Sequence, residues 1–222
     1  MGITLVGEKT IFRKPLTETD MGRMRIPKRY WSCAFDEISD DVSGGVADEV
    51  SPKGLARRYL VKLDEMLDRG IGILLWGANG RGKTGVSVVV CKEARRRGYT
   101  VLFAECADLK RCVIDRVPFD DDQSVLERAR SVDLLVLDDL GKGVQDRTGF
   151  GARLLDELIR HRNASQLSTI ITTNMGFEQM DEELKKSTIH SLKECMVPAK
   201  IMGPDRRDEA KQCLLGLLSA EG

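Results

Sequence analysis

A glycine-rich segment that ends in lysine and threonine carries the clearest chemistry in the sequence. Residues 77–84 read GANGRGKT and satisfy G-x-x-x-x-G-K-[ST], a pattern whose backbone N–H groups wrap around phosphates. The segment follows an apolar run and precedes a helical pattern, as a phosphate-binding loop requires. We expect Lys83 to reach the β- and γ-phosphates of ATP and the Thr84 hydroxyl to coordinate Mg²⁺. The predicted nucleotide-binding residues are Gly77, Ala78, Asn79, Gly80, Arg81, Gly82, Lys83, Thr84 and Gly85.

Two aspartates at the end of an apolar run form the second half of the predicted site. Residues 134–139 read LLVLDD, and a buried strand of this kind brings its last carboxylates to the edge of the sheet where ligands bind. We expect Asp138 to hold the Mg²⁺ through water. Asp139 has two interpretations: a general base that polarises the attacking water, or a cap of the following turn.

A third apolar run also ends in polar side chains. Residues 168–174 read STIITTN, and Asn174 would lie beside the ends of the other two strands. There it could hydrogen-bond the γ-phosphate or the attacking water. The alternative is an ordinary exit from a strand into a turn.

These groups need a scaffold in which several strands end at one edge. Four runs rich in aliphatic residues occur at 71–76, 100–105, 134–138 and 168–173. Helical patterns separate them, at 84–97, 124–131 and 151–162, and a further amphipathic pattern begins at Pro52 and ends at Gly70. Strands that alternate with helices and are buried on both faces predict an α/β fold, with a parallel sheet sandwiched by helices.

Length and composition favour one cytoplasmic domain. The chain has 222 residues, 41% of them hydrophobic, which suits a single core with short additions. We predict an N-terminal arm or partner-binding appendage at 1–29, an ATPase domain at 30–207 and a C-terminal helix at 208–222. No apolar stretch is as long as a membrane span, so we expect no membrane contact.

The order of five short motifs resembles a family of AAA+ ATPases. The motifs GANGRGKT, LLVLDDLG, LIRHRN, STIITTN and GPDRR, with IPKRY ahead of them, resemble the group of DnaC-type helicase loaders and IstB-type transposition ATPases. The resemblance covers about residues 26–207. It implies an AAA+ P-loop fold, a sensor-1 role for Asn174, and a sensor-2 role for Arg206 or Arg207 near the γ-phosphate. It also implies a homo-oligomeric ring or spiral with ATP at the subunit interfaces.

One departure from the family pattern concerns the arginine that a neighbouring subunit supplies. Family members carry it between the two sensors, but residues 189–194 read IHSLKE, without an arginine. Lys193 could substitute, Arg162 or another arginine could act in trans, or hydrolysis could be weak. Lysine lacks the planar, bidentate geometry of arginine at a phosphate.

Any contact with DNA must come from a local patch. Lys plus Arg and Asp plus Glu both number 35, so the net charge is +0 and gives no overall attraction to nucleic acid. The candidates are Lys110, Arg111 and Arg116, in the segment where replication-initiator relatives carry a DNA-contacting insert. Their alternative role is a solvated helix face.

Three functions follow from these residues and the resemblance. The first is an ATP-dependent helicase loader in DNA replication, which binds single-stranded DNA and a replicative ring helicase. The second is an IstB-type transposition helper that binds duplex DNA. The third is a binding module that uses ATP without hydrolysing it.

Overall fold

A five-stranded parallel sheet forms the centre of the computed structural model, which describes residues 15–38, 51–114, 120–141, 148–202 and 205. The strands are β1 (Gly72–Trp76), β2 (Val101–Glu105), β3 (Leu134–Asp138), β4 (Ser168–Thr173) and β5 (Met196–Lys200). Their order across the sheet is β2-β3-β4-β1-β5, and every neighbouring pair is parallel. The predicted α/β class with a parallel sheet is confirmed.

Helices cover both faces of this sheet. They are α1 (Glu18–Arg23), α2 (Pro52–Val61), α3 (Leu63–Asp68), α4 (Lys83–Arg96), α5 (Cys106–Ile114), α6 (Asp120–Ser131), α7 (Phe150–Ala164), α8 (Phe177–Glu183) and α9 (Lys186–Cys195). Two short 3-10 turns, Lys28–Tyr30 and Phe35–Glu37, lie between α1 and α2. None of the helices within the described ranges combines the length and apolar character that crossing a bilayer would need.

The strands are buried on both faces because successive side chains point to opposite sides of the sheet. Leu134 and Val136 of β3 pack in one apolar cluster with α2 and α4. Leu135 and Leu137 pack in a second cluster with α7 on the other face. This double burial explains why the strands read as continuous apolar runs in the sequence.

The fifth strand, β5, was not predicted from the sequence. Within the part of the chain that the structure describes, it pairs with β1 alone and lies at one edge of the sheet. Its middle residues, Val197 and Pro198, are exposed, so the strand lacks an apolar run. Proline is tolerated in an edge strand because the side of the strand that lacks an N–H can face solvent, where no neighbouring strand needs that donor.

The N-terminal segment packs against the sheet and the helix α4. Met21, Met24 and Ile26 are buried in the same apolar cluster as Val86 of α4, and the backbone N–H of Phe103 in β2 donates to the Met24 carbonyl at 2.8 Å. The predicted boundary at residue 30 stays a prediction. From Met21 onward, however, the segment shares the core of the strands.

A buried lysine holds the next part of this segment. Lys92 in α4 is 4% exposed, and its ammonium donates to the carbonyls of Tyr30, Trp31 and Cys33 at 3.1, 2.8 and 2.5 Å. Burial lowers the pKa of Lys92. These three bonds compensate for the burial of the charge and fix the backbone of residues 30–33 on α4.

Candidate functional site

The glycine-rich loop between β1 and α4 has a backbone that side chains would obstruct. Gly77, Gly80 and Gly82 have φ values of 136°, 76° and 92°, which residues with a Cβ rarely adopt. A Cβ at Gly77 would also lie 2.6 Å from the Ile201 carbonyl oxygen. Gly82 is the N-cap of α4, and no side chain among the described residues caps that helix. The first N–H groups of α4 are therefore suited to bind an anion.

Lys83 lies inside the curve of this loop. Its side chain is almost fully buried, and its ammonium donates to the carbonyls of Gly77 and Ala78 at 2.7 and 2.8 Å. An anion held by the loop would therefore lie beside a positive charge. The predicted phosphate-binding lysine is in a position to fulfil that role.

Asp138 joins the loop to the neighbouring strands. The Thr84 hydroxyl donates to its two carboxylate oxygens at 3.0 and 3.3 Å, and the Thr172 hydroxyl donates to Oδ1 at 2.7 Å. The pKa of Asp138 is raised above its usual range, chiefly by burial. The hydrogen bonds from Thr172 and Thr84 and the charge of Arg29 lower this pKa, while the charge of Asp139 raises it. The structure thus brings together Thr84 and Asp138, the two predicted metal ligands.

The oxygen donors at this point fit Mg²⁺. A hydroxyl and a carboxylate are hard ligands, and Mg²⁺ commonly takes only one or two protein ligands together with phosphate oxygens and water. Within the described ranges, no group of three His, Cys, Asp or Glu side chains could hold a metal ion. The site therefore suits a metal that arrives with a nucleotide rather than one held in a cage of carboxylates.

Asp139 has an unusual backbone conformation. Its φ is 57°, in the left-handed region that Asp and Asn tolerate better than most residues. Its N–H donates to the Thr172 hydroxyl at 3.0 Å. Thr172 therefore orients both aspartates, a role that the sequence motifs do not predict. The sequence feature that could have indicated this role is a hydroxyl side chain within a strand that is buried on both faces.

Asn174 and Glu105 lie at the same edge of the sheet. Asn174 is exposed just after β4, and its Oδ1 lies 3.3 Å from the position that a Cβ on Gly141 would occupy. Asn174 thus faces the chain that leaves β3. Glu105, which the sequence analysis did not select, ends β2 directly opposite Asp138 in the parallel register.

Arg162 has a structural position, which argues against the trans role that the sequence analysis considered. The side chain is 1% exposed. Its guanidinium donates to the Thr169 hydroxyl and to the carbonyls of Ala129, Val132 and Ser168 at 2.7 to 2.9 Å. A guanidinium buried in this way cannot reach a neighbouring subunit. Lys193, the other candidate, is exposed on α9.

The remaining predicted residues are only partly described. Lys110 is half-buried on α5, while Arg111 is exposed and pairs with Asp108. Arg116, Arg206 and Arg207 lie outside the described residues, as does the predicted C-terminal helix. Asp205, next to the two arginines, is described, and a Cβ on Gly80 would overlap its carboxylate.

The chain is similar to a replicative helicase loader. DnaC, a replicative helicase loader of Escherichia coli (strain K12), is 25% identical over 164 residues, which are 73% of this chain and 63% of that protein. The chain therefore spans less than two thirds of the length of this relative.

Two solved structures resemble the fold. The crystal structure of the DnaC helicase loader gives a TM-score of 0.66 at 22% identity and covers 79% of this chain and 100% of its own. The crystal structure of DnaI gives 0.65 at 20% identity, with 82% and 94% covered. The chain therefore has the fold of these two proteins, and the resemblance seen in the motifs is confirmed. Because residues 52–192, more than half of the chain, match the model of one family, the chain belongs to the IstB-like ATP binding proteins.

Proposed function

We propose that the chain is an ATPase that loads a replicative ring helicase onto single-stranded DNA. The observation that carries the ATPase part is the hydrogen-bonded connection from Thr84 through Asp138 and Thr172 to Asp139. It connects the phosphate-binding loop to the backbone N–H of Asp139, whose side chain is the candidate base. The loader part is supported by the similarity of the chain to DnaC, which is a replicative helicase loader.

In this proposal each side chain at the sheet edge has one task. Lys83 and the N–H groups of the loop bind the triphosphate. Thr84 and Asp138 would hold Mg²⁺, which neutralises phosphate charge when bound. Asp139 accepts a proton from the attacking water, and Asn174 orients that water or the γ-phosphate.

We expect Asp139→Asn to slow ATP hydrolysis by about 100-fold, as for the loss of a general base, with little change in ATP affinity. Asparagine is the informative substitution because it tolerates the positive φ of 57° at this position. Steady-state turnover and calorimetric titration with ATP would measure the two effects. Asp181→Asn, on the exposed side of α8, is the control. Unchanged turnover in the Asp139 variant would mean that this residue only caps the turn.

We further propose that the active form is a homo-oligomer in which one subunit completes the ATP site of the next. Lys193 is exposed on α9 and stays a candidate for the residue acting in trans. Arg206 and Arg207 stay candidates for sensor 2. Asp205, which precedes them in the sequence, lies against Gly80 of the phosphate loop, and this supports their candidacy. The basic N-terminal arm is our candidate for binding the helicase.

Sedimentation with labelled DNA would test the proposed function. With ATP, we expect the protein to assemble and to co-sediment with single-stranded DNA, with Lys110, Arg111 and Arg116 as the predicted contacts. With ADP, which lacks the γ-phosphate that a trans cation reads, assembly should be weaker. Preference for duplex DNA would favour the transposition helper, for which the IstB-like family match speaks. Equal mass with both nucleotides would contradict assembly on the γ-phosphate.

A further inference from the structure

Cations lie over aromatic rings along the N-terminal segment and the start of α2. The Lys28 ammonium lies 5.7 Å from the centre of the Trp31 ring, and the Arg29 guanidinium lies 4.8 Å from that of Tyr30. The Phe35 ring has two cations nearby, Lys53 at 5.7 Å and Arg57 at 5.8 Å. We call residues 28–31, Phe35, Lys53 and Arg57 the cation-ring surface.

The backbone beneath this surface is held in place. Lys92 binds the carbonyls of Tyr30 and Trp31, and the indole N–H of Trp31 donates to the Ile26 carbonyl at 2.8 Å. Lys28, Arg29 and Arg57 are exposed, while the three rings are half-buried. The hydrogen bond holds the Trp31 ring in one orientation, and all three rings pack against the core while staying partly exposed.

The four cations are available to an anion. None of them forms an ion pair with another residue in the described part of the chain, although the Lys53 ammonium donates to the Asp36 carbonyl at 3.4 Å and the charge of Arg29 lowers the pKa of Asp138. Two carboxylates belong to the described residues of the same segment: Glu37 accepts from the Ala34 N–H at 3.1 Å, and Asp36 is exposed next to it. The sequence from Lys28 to Arg57 carries six carboxylates and four basic side chains, so attraction of an anion would depend on these four cations and not on the net charge of the segment.

We propose that the cation-ring surface binds single-stranded nucleic acid. Unpaired bases can stack on an aromatic face or on a guanidinium plane, and lysine or arginine beside each ring can contact the adjoining phosphates. A duplex hides its base faces within the stack, and an acidic peptide would make no use of the rings. This inference rests on the proposed function and adds a second contact region to Lys110, Arg111 and Arg116.

The cation-ring surface adjoins the phosphate-binding loop. Cys33, between Trp31 and Phe35 in the sequence, has its Sγ 3.9 Å from the carbonyl oxygen of Gly85 in α4. A single strand of nucleic acid bound on this surface would therefore lie close to the nucleotide site. The same closeness allows a competing role for these side chains, contact with the bound nucleotide, which the experiment must separate.

A triple variant tests the proposal in the full-length chain. Lys28→Gln, Lys53→Gln and Arg57→Gln together remove three cations and keep the rings. Binding of labelled oligothymidine, followed by fluorescence anisotropy, should weaken at least about tenfold. The slope of log affinity against log salt should become shallower by about 2, since each phosphate contact on a single strand contributes about 0.7. Binding of a fluorescent ATP analogue should stay unchanged.

A matched control removes the same number of charges from the same region. Arg58, Lys62 and Arg69 are exposed on or beside α2 and α3, and their change to Gln should leave affinity and slope near those of the wild type. In a Trp76→Phe background, oligothymidine should quench the fluorescence of Trp31, the remaining tryptophan.

Three results would overturn the proposal. The first is wild-type affinity and slope in the triple variant, and the second is an equal loss in the control, which would indicate charge alone. The third is loss of ATP binding in the triple variant, which would assign the surface to the nucleotide. A wild-type chain that binds no single strand would instead contradict the proposed function itself, and this inference with it.

Discussion

Lys83→Ala should weaken ATP binding by about 100-fold or more. The variant loses charge-assisted hydrogen bonds to two phosphates, each worth about 1.5 to 3 kcal/mol. In the structure the ammonium already lies within the loop, 2.7 Å from the Gly77 carbonyl oxygen, so another side chain would have to displace the loop to replace it. Isothermal titration with ATP and Mg²⁺ would measure the loss.

Two further variants show whether this loss reflects charge or folding. Lys83→Gln keeps N–H donors for the carbonyls of Gly77 and Ala78 but removes the charge, and it should lose nearly as much affinity. Arg96→Ala, at the other end of α4 and partly exposed, should bind ATP as the wild type does. Wild-type affinity in both Lys83 variants would contradict the assignment of the loop.

Arg162→Ala should reduce the free energy of unfolding by about 4 kcal/mol. The substitution leaves three carbonyls and the Thr169 hydroxyl without their donor in the interior, and each unsatisfied buried group costs about 1 to 3 kcal/mol, with incomplete additivity. Burial lowers the pKa of Arg162 to about 10, so the side chain is still charged at neutral pH. Denaturant unfolding would measure the change.

Arg160→Ala is the matched control for this variant. Arg160 belongs to the same helix, α7, but is exposed, and its loss should change stability by no more than about 0.5 kcal/mol. If the two variants lose equally little, water must replace the Arg162 donors.

The sequence predicted the parts of the site whose geometry is local. The glycine loop, Lys83 and Thr84 follow from one contiguous pattern, and Asp138 follows from an apolar run that ends in an acid. Thr172 could not be predicted in the same way. Its role depends on the order of β3 and β4 in the sheet, which places its hydroxyl against Asp138.

Other features depend on burial, which residue type alone does not reveal. Arg162 in the sequence is one of three basic residues within RHR, and only the packing of α7 on β4 and α6 distinguishes it from Arg160. The sequence of the N-terminal segment is basic and irregular, yet two of its side chains, Met24 and Ile26, are buried in the core. The strand β5 has exposed central residues, so it lacks the apolar run of an inner strand.

The helix α4 begins at Lys83 and also contains Lys92, nine residues later. The first lysine belongs to the phosphate loop, while the second holds the backbone of residues 30–33. Inserting or deleting one residue between them would rotate one lysine against the other by about 100° and shift it by about 1.5 Å. Natural relatives that retain both lysines should therefore keep the length of this stretch constant.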